Sequence, residues 1–148
     1  MAIKSKSTGH KKHKVEEIKG SYKFTYIKFN FSFLTTNKQY NFENPKMMND
    51  IKIQIFDRIL YWSSMTTTAL GTLGKNLGYE TIEESQIKIN AKCNSNFGSD
   101  EERGRACSDK YYVFRGYPNN NPYTVRLIGK WAKGIFYLFF IDLEHKYI

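Results

Sequence analysis

The longest uninterrupted apolar run of the chain covers residues 135–141, close to the C-terminus. Apolar side chains occupy both alternating sets of positions in this run, so a strand formed here presents apolar side chains to both faces of its sheet. Strands of this kind lie in the interior of a sheet that is covered on both sides. Residues 123–130 precede it, with a short basic turn at 131–134 between the two segments. The pattern therefore predicts a hairpin at the centre of the core.

The N-terminal half predicts one strand followed by two helices. Residues 22–34 alternate between apolar and polar positions with one change of phase, which predicts a β-bulge or a strand that is apolar on both sides. Asn44 and Pro45 are the residue types of an N-cap and a first helical position. Apolar residues then recur every three or four positions as far as Trp62, so we expect an amphipathic helix here. A second, shorter helix is expected over residues 65–73.

The second half predicts a loop and then strands. Residues 81–89 fit either a helix start or a strand, and the pattern leaves both open. Residues 90–110 are rich in Asn, Ser, Gly and charged residues, which predicts a long exposed loop. A strand over residues 111–117 and the C-terminal hairpin complete a three-stranded antiparallel meander. This order predicts an α+β fold with two helices packed on one side of an antiparallel sheet.

Basic charge is concentrated at the two ends of the sequence. The chain of 148 residues has a net charge of +9, of which residues 1–19 contribute +4 and residues 103–148 contribute +5. Residues 1–19 have almost no apolar content and predict a flexible basic arm, followed by a single domain over residues 20–148. The arm either contacts phosphates or is an inert tail, and its candidate contacts are Lys11, Lys12 and Lys14.

The charge and the aromatic content together limit the classes of partner. A basic excess of this size predicts a polyanionic partner, above all nucleic acid, although a merely basic soluble protein has the same composition. Aromatic residues make up 16% of the chain, which suits a sheet-rich core and also leaves rings for stacking on bases.

Cysteine and histidine residues show no metal-binding spacing. Cys93 and Cys107 are expected to be free thiols, with a disulfide between them as the alternative. No apolar run reaches the length of a transmembrane helix, and no apolar segment follows the basic N-terminus as in a secretory signal. We therefore expect a cytoplasmic protein without membrane contact and without a metal or cofactor.

Three basic side chains form the candidate site, two within predicted strands and one just past the end of the last strand. Arg115 lies within the strand at residues 111–117 and Arg126 within the next strand, where an arginine is costly to order without a partner. His145 follows the last strand, three residues after Asp142. The two arginines either share a face and form a cationic concavity beside His145, or make ion pairs with carboxylates of the same sheet. A hydrogen bond to Asp142 is the structural alternative for His145.

Five short motifs carry a resemblance to known proteins. They are NFSFL (30–34), LYWSSMT (60–66), FR (114–115), VRLIG (125–129) and FYLFFIDLEHK (136–146). Their order resembles a family of small bacterial and phage-type proteins that end in R-x-x-G and then F-x-h-h-h-h-D-x-x-H-K. The terminal arrangement is also similar to that of RelE/YoeB/YafQ-type toxins, small basic ribonucleases in which two helices pack on a curved antiparallel sheet. This chain is longer, with the basic arm and the segment at residues 90–110.

The resemblance implies metal-free cleavage of mRNA, and therefore RNA rather than DNA as the partner. The 2′-hydroxyl loses a proton, the phosphorane is stabilised by cations and the leaving oxygen is protonated. In this interpretation His145 is the general acid or base, and Arg115 and Arg126 hold the phosphate. Further contacts to RNA are assigned to Lys130, Lys133, Lys146 and the ring of Tyr137 or Tyr147. An acidic antitoxin is then an expected protein partner.

Two other classes of function fit the same sequence. The first is a non-catalytic protein of a phage or mobile element that binds nucleic acid or inhibits a host nuclease or defence complex. Its affinity would fall steeply with salt, without turnover. The second is an assembly role in which exposed aromatic residues such as Tyr117 and Trp131 form a protein interface.

Overall fold

The computed structural model describes residues 26–75, 78–88 and 94–147. Several predictions concern residues outside these ranges: the basic arm of residues 1–19 with Lys11, Lys12 and Lys14, residues 22–25 of the first predicted strand, and Cys93. Among the helices of the described ranges, none is both long enough and apolar enough to cross a membrane.

Five strands and three α-helices lie within these ranges. The strands are β1 (Lys28–Asn30), β2 (Tyr79–Ile82), β3 (Tyr111–Arg115), β4 (Arg126–Ala132) and β5 (Ile135–Asp142). The helices are α1 (Asn49–Ser63), α2 (Thr67–Gly71) and α3 (Glu101–Ala106). Short 3-10 turns occur at Lys38–Tyr40, Glu84–Gln86, Ser95–Ser99 and Pro118–Asn120.

The strands form one mixed sheet in the order β1-β5-β4-β3-β2. β2 pairs antiparallel with β3, β3 with β4, and β4 with β5. β1 runs parallel to β5, with Phe29 opposite Phe136. The α+β class is therefore confirmed, whereas the prediction of an antiparallel sheet is corrected to a mixed one. Because β1 lies beside the last strand rather than beside its neighbour along the chain, no hairpin turn forces these two strands into opposite directions.

Both faces of the sheet are covered. On the first, here called the helical face, α1 and α2 pack on the strands, and the Trp62 and Phe114 ring centroids are 4.6 Å apart. On the second, here called the tail face, Phe97 and the C-terminal Tyr147 share a core with Val113. The side chains of β5 are buried along almost its whole length. The expectation of a central strand that is apolar on both faces is therefore confirmed.

A β-bulge interrupts the pairing of β5 with β4. The register between β4 and β5 shifts after Ile128, which leaves Phe139 without a partner in β4. The Phe139 carbonyl instead accepts a hydrogen bond from the Thr35 amide at 2.9 Å. At the bulge the two strands approach so closely that a Cβ atom on Gly129 would lie 2.0 Å from the Tyr137 carbonyl oxygen. A glycine is required here by the space available.

The first helix begins later than predicted, at Asn49 rather than near Asn44. The Asn44 side chain builds a turn: its Oδ1 accepts from the Lys46 amide at 2.8 Å, and its Nδ2 donates to the Gln39 carbonyl at 2.7 Å. Asparagine favours such turns as well as helix N-caps, so its residue type does not distinguish the two. The predicted end of the helix agrees with the structure, in which α1 ends at Ser63.

The bounds of two strands also differ from the predictions. The strand expected over residues 22–34 is only three residues long within the described part. It ends because Asn30 Oδ1 accepts a hydrogen bond from the Ser32 amide at 2.8 Å and turns the chain. In the ambiguous segment at residues 81–89, β2 continues to Ile82 and a 3-10 turn follows.

The segment predicted as an exposed loop over residues 90–110 is partly folded. Asp100 begins α3 by accepting a hydrogen bond from the Arg103 amide at 3.0 Å. The preceding Phe97 is buried, and the Arg103 guanidinium carbon lies 4.2 Å from the Phe33 ring centroid. One aromatic residue in a polar segment therefore anchors it to the tail face.

Candidate functional site

Arg115, Arg126 and Asp142 form a row across three neighbouring strands. Arg115 in β3 pairs with Arg126 in β4, which pairs in turn with Asp142 in β5. Directly opposed residues point to the same face of a sheet, and this row belongs to the tail face. The exposed fractions are 5% for Arg115, 0% for Arg126 and 1% for Asp142. Neither guanidinium is therefore accessible to a phosphate in solvent.

The two arginines are held by groups of the protein itself. Arg126 donates through Nη1 to the Thr124 carbonyl and through Nη2 to Asn120 Oδ1, the latter at 2.8 Å. Arg115 Nη2 lies 3.4 Å from the carboxylate of Glu80 in β2. These contacts match the structural alternative for Arg115, an ion pair on the same sheet, and they correct the expectation of an open cationic concavity.

The C-terminal residues close over this row. Asp142 accepts hydrogen bonds from the backbone amide of Tyr147 at 2.9 Å and from that of Glu144 at 3.2 Å. The Tyr147 hydroxyl donates to Glu80 at 3.0 Å, and the Arg126 guanidinium lies 5.8 Å from the Tyr147 ring centroid. Tyr147 has no exposed surface, and its burial raises the pKa of its hydroxyl. Its ring is therefore unavailable for stacking on a base.

His145 lies above the row, at the surface. Its side chain is exposed, and its backbone adopts a left-handed φ of 57°. Partial burial lowers the pKa of His145, and the positive charge of Arg126 lowers it further, against an opposing effect of Asp142. His145 is thus close enough to both arginines to sense their charge, but it is separated from them in depth. Both Asp142 oxygens accept from backbone amides, and no hydrogen bond between His145 and Asp142 occurs in the described part of the chain.

The lysines proposed for RNA contact are paired with carboxylates. Lys146 lies 2.6 Å from Glu144, which also pairs with Lys46, and these two contacts lower the pKa of Glu144 to about 2. Lys130 lies 3.4 Å from Glu84 and 4.7 Å from the Tyr111 ring centroid, and Lys133 pairs with Glu102. Ion pairs of exposed side chains such as those of Lys133 and Lys146 contribute little to stability, whereas the Lys130 side chain is only 13% exposed.

Tyr137, the other proposed stacking residue, is part of the core. Its side chain is only 8% exposed, and its ring centroid lies 5.7 Å from that of Phe33 and 5.2 Å from that of Phe97. The expected base-stacking role is therefore replaced by packing beneath the segment that precedes α3.

Three aromatic rings instead line an open cavity on the opposite, helical face. This aromatic pocket has a volume of about 250 Å³. Its lining residues are Thr67, Leu70, Gly71, Tyr79, Tyr112, Trp131 and Gly134. The Tyr79 and Tyr112 ring centroids are 5.8 Å apart at 21°, and the Tyr112 and Trp131 rings are 6.4 Å apart at 86°. Trp131 Nε1 donates to the Tyr79 hydroxyl at 3.2 Å, which fixes both rings.

Strand register brings these rings together. Tyr79 in β2 lies opposite Phe114, two residues after Tyr112 in β3, so both tyrosines point to the helical face. Tyr112 lies opposite Gly129, two residues before Trp131 in β4. The sequence interpretation named Tyr117 and Trp131 as exposed aromatic residues, but Tyr117 is only 9% exposed and Trp131 is half-buried. It missed Tyr79 and Tyr112. The available signal was the repetition of aromatic residues at alternate positions of adjacent strands.

Neither a search for metal-binding groups nor comparison with known proteins assigns a further role to any residue. In the described ranges, no group of three or more His, Cys, Asp or Glu side chains is arranged to hold a metal ion. No family model, no curated protein and no solved structure matches the chain.

Proposed function

We propose that the protein binds single-stranded RNA and holds one base in the aromatic pocket. The observation that carries this proposal is a half-buried pocket of three aromatic rings on a chain with a net charge of +9. Proteins that bind single strands combine positive charge with aromatic side chains on which bases stack. Each stacked base contributes about 1–3 kcal/mol to the free energy of binding, largely independently of which base it is.

The size of the pocket suits one base rather than a whole nucleotide. An apolar cavity of about 150 Å³ accepts a benzene ring, whereas pockets for drug-sized ligands begin at about 300 Å³. At about 250 Å³, the aromatic pocket lies between these limits. Tyr112 and Trp131 are only half-buried, so each ring retains surface for contact with a base. The sugar and the phosphates would then remain outside.

Positive charge near the pocket can meet the phosphates. Lys110 is exposed, and its pKa is raised by a hydrogen bond with Glu83 and, to a smaller extent, by the nearby Tyr112. Lys133 directly precedes Gly134 of the pocket. Phosphate contacts by the lysines of the N-terminal arm remain a prediction from the sequence. Such contacts would add affinity without base specificity.

RelE-type cleavage is a second candidate, and His145 is the observation that favours it. An exposed imidazole with a lowered pKa is neutral at pH 7 and can accept a proton. The buried contacts of Arg115 and Arg126 count against it, because the implied phosphate clamp would have to break them first. The RelE-like fold also stays a proposal, which the α1–α2 pair and strands β3 to β5 support.

Fluorescence anisotropy with a 5′-labelled, unstructured RNA of twelve nucleotides tests the binding proposal. We expect Tyr112→Ala to raise the Kd about tenfold or more, the loss of one stacked base. Tyr112 is the preferred position because Tyr79 and Trp131 hydrogen-bond each other. The matched control is Tyr26→Ala, which removes a ring that is 61% exposed and lies outside the pocket. Equal affinity of wild type and Tyr112→Ala would refute the base-stacking site.

The same samples distinguish the other functions. A binding constant that falls steeply with salt supports phosphate contacts. RNA that is cut by the wild type and left intact by His145→Asn would replace the binding proposal with the ribonuclease one. Absence of RNA binding at low salt, together with binding of an acidic protein partner, would favour the inhibitor interpretation.

A further inference from the structure

Helix α1 exposes an apolar stripe on its outer side. Ile53, Phe56 and Leu60 are 62%, 61% and 55% exposed, although the opposite side of the helix is buried on the sheet. Their spacing of three and four residues places them in one line along the helix. An exposed line of large apolar side chains on a described helix indicates a surface that another molecule covers.

The stripe has the pattern of a seam between two helices. Ile53, Phe56 and Leu60 occupy consecutive a, d and a positions of a heptad repeat. Lys52 then occupies the g position and Asp57 the e position, one on each side of the stripe. Both side chains are exposed, and neither makes an ion pair within the residues that the structure describes.

The two flanking charges are complementary in only one orientation. In a parallel pair of helices, the g residue of one helix lies beside the e residue five positions later in its partner. Lys52 and Asp57 are separated by five positions, so each Lys52 would meet the Asp57 of the other copy. A twofold axis along the helices forms this ion pair twice. In an antiparallel pair, equal charges would face each other instead.

From this self-complementary pattern we infer that two copies of the chain associate through parallel α1 helices. The apolar stripe forms the seam, and the two Lys52–Asp57 ion pairs set the orientation. The seam is short, and two copies with a net charge of +9 each repel one another at long range. The dimer is therefore weak, and added salt screens the long-range repulsion together with the two exposed ion pairs.

Charge exchange on the full chain tests the orientation. Sedimentation equilibrium over a series of concentrations gives the dimer Kd. Lys52→Asp and Asp57→Lys each turn both attractive contacts into repulsive ones, and we expect each to raise the Kd about tenfold. The double variant Lys52→Asp/Asp57→Lys restores opposite charges and should return the Kd to the wild-type value. Single variants that dimerise as tightly as the wild type would overturn the parallel arrangement.

A second pair of variants tests the seam itself. Phe56→Gln removes the central apolar contact of an exposed residue, so the fold is retained and the dimer Kd should rise at least tenfold. Met48→Gln is the matched control, because Met48 is 61% exposed but lies off the stripe. Circular dichroism verifies that both variants are folded. A wild type that remains monomeric at the highest concentration, or equal Kd values for the two variants, would overturn the inference.

Discussion

His145 combines an uncommon backbone conformation with a shifted proton affinity. Its φ of 57° lies in the left-handed region, where asparagine is tolerated better than most residues with a side chain. Its pKa is lowered by partial burial and by Arg126. The folded state therefore disfavours the imidazolium form that the unfolded chain adopts freely near pH 6.5.

This linkage gives a residue-scale prediction about pH. The contribution of His145 to stability is present above its unfolded pKa and is lost as the pH falls toward its lower folded pKa, because the unfolded chain binds the proton first. Lowering the pH from 7.5 to 5.5 should therefore reduce the Tm of the wild type more than that of His145→Asn, which keeps a residue tolerant of positive φ. The difference is small because the side chain is largely solvated. Equal decreases would contradict the prediction.

The sequence placed Arg115 and Arg126 within strands, but it did not indicate how deeply they are buried. An ion pair on the same sheet was one of the two alternatives from the sequence, and Arg115 makes it with Glu80. Arg126 is instead held by Thr124 and Asn120, in the segment before its own strand. Their depth depends on Glu80 in β2 and on Tyr147 at the C-terminus, which are far from both arginines in sequence. Tertiary contacts of this kind leave no periodic signal in the local sequence.

At the scale of elements, the hairpin of β4 and β5 was predictable and its register was not. Continuous apolar character indicates a buried strand, but a bulge moves later side chains to the other face without changing composition. The register shift at Ile128 and Gly129 thus required the structure. The start of α1 was missed for a similar reason, because Asn44 satisfies the requirements of a turn equally well.

The bulge yields a prediction at this scale. Gly129→Ala should lower the free energy of unfolding by about 3 kcal/mol, because the new methyl group would overlap the Tyr137 carbonyl oxygen and the backbone must move. Urea denaturation measures the change.

Gly71→Ala is the matched control for this prediction. No heavy atom lies within 4 Å of a Cβ atom placed on Gly71, and alanine is the better helix former in α2. The control should therefore be neutral or slightly stabilising. A similar loss of stability in both variants would show that the bulge does not require glycine.

Across the whole molecule, the two faces of the sheet have different properties. The tail face encloses Tyr147, which contacts Glu80 of β2, Arg126 of β4 and Asp142 of β5. The helical face leaves the aromatic pocket and the outer stripe of α1 accessible. The order of the predicted elements indicated the α+β class and composition indicated the basic character, but the assignment of open and closed surfaces to opposite faces required strand register and the path of the C-terminus.

Replacing Arg126 distinguishes a role of this side chain in stability from a role in binding RNA. Arg126→Gln removes charged hydrogen bonds to Thr124 and Asn120, so we expect a loss of about 2–3 kcal/mol in the free energy of unfolding. RNA affinity of the folded variant, measured by anisotropy, should remain that of the wild type. Lys146→Gln, which alters an exposed ion pair, should change stability by less than about 0.5 kcal/mol.

The opposite result would identify Arg126 as a ligand for phosphate. A phosphate clamp must exchange its protein partners for RNA, so its loss would lower affinity much more than stability. A stable Arg126→Gln protein that no longer binds RNA would therefore return the binding site to the tail face, beside His145. Since the two outcomes differ in both measurements, a denaturation curve and a binding curve on one preparation decide whether the proposed RNA site lies on the helical face or on the tail face.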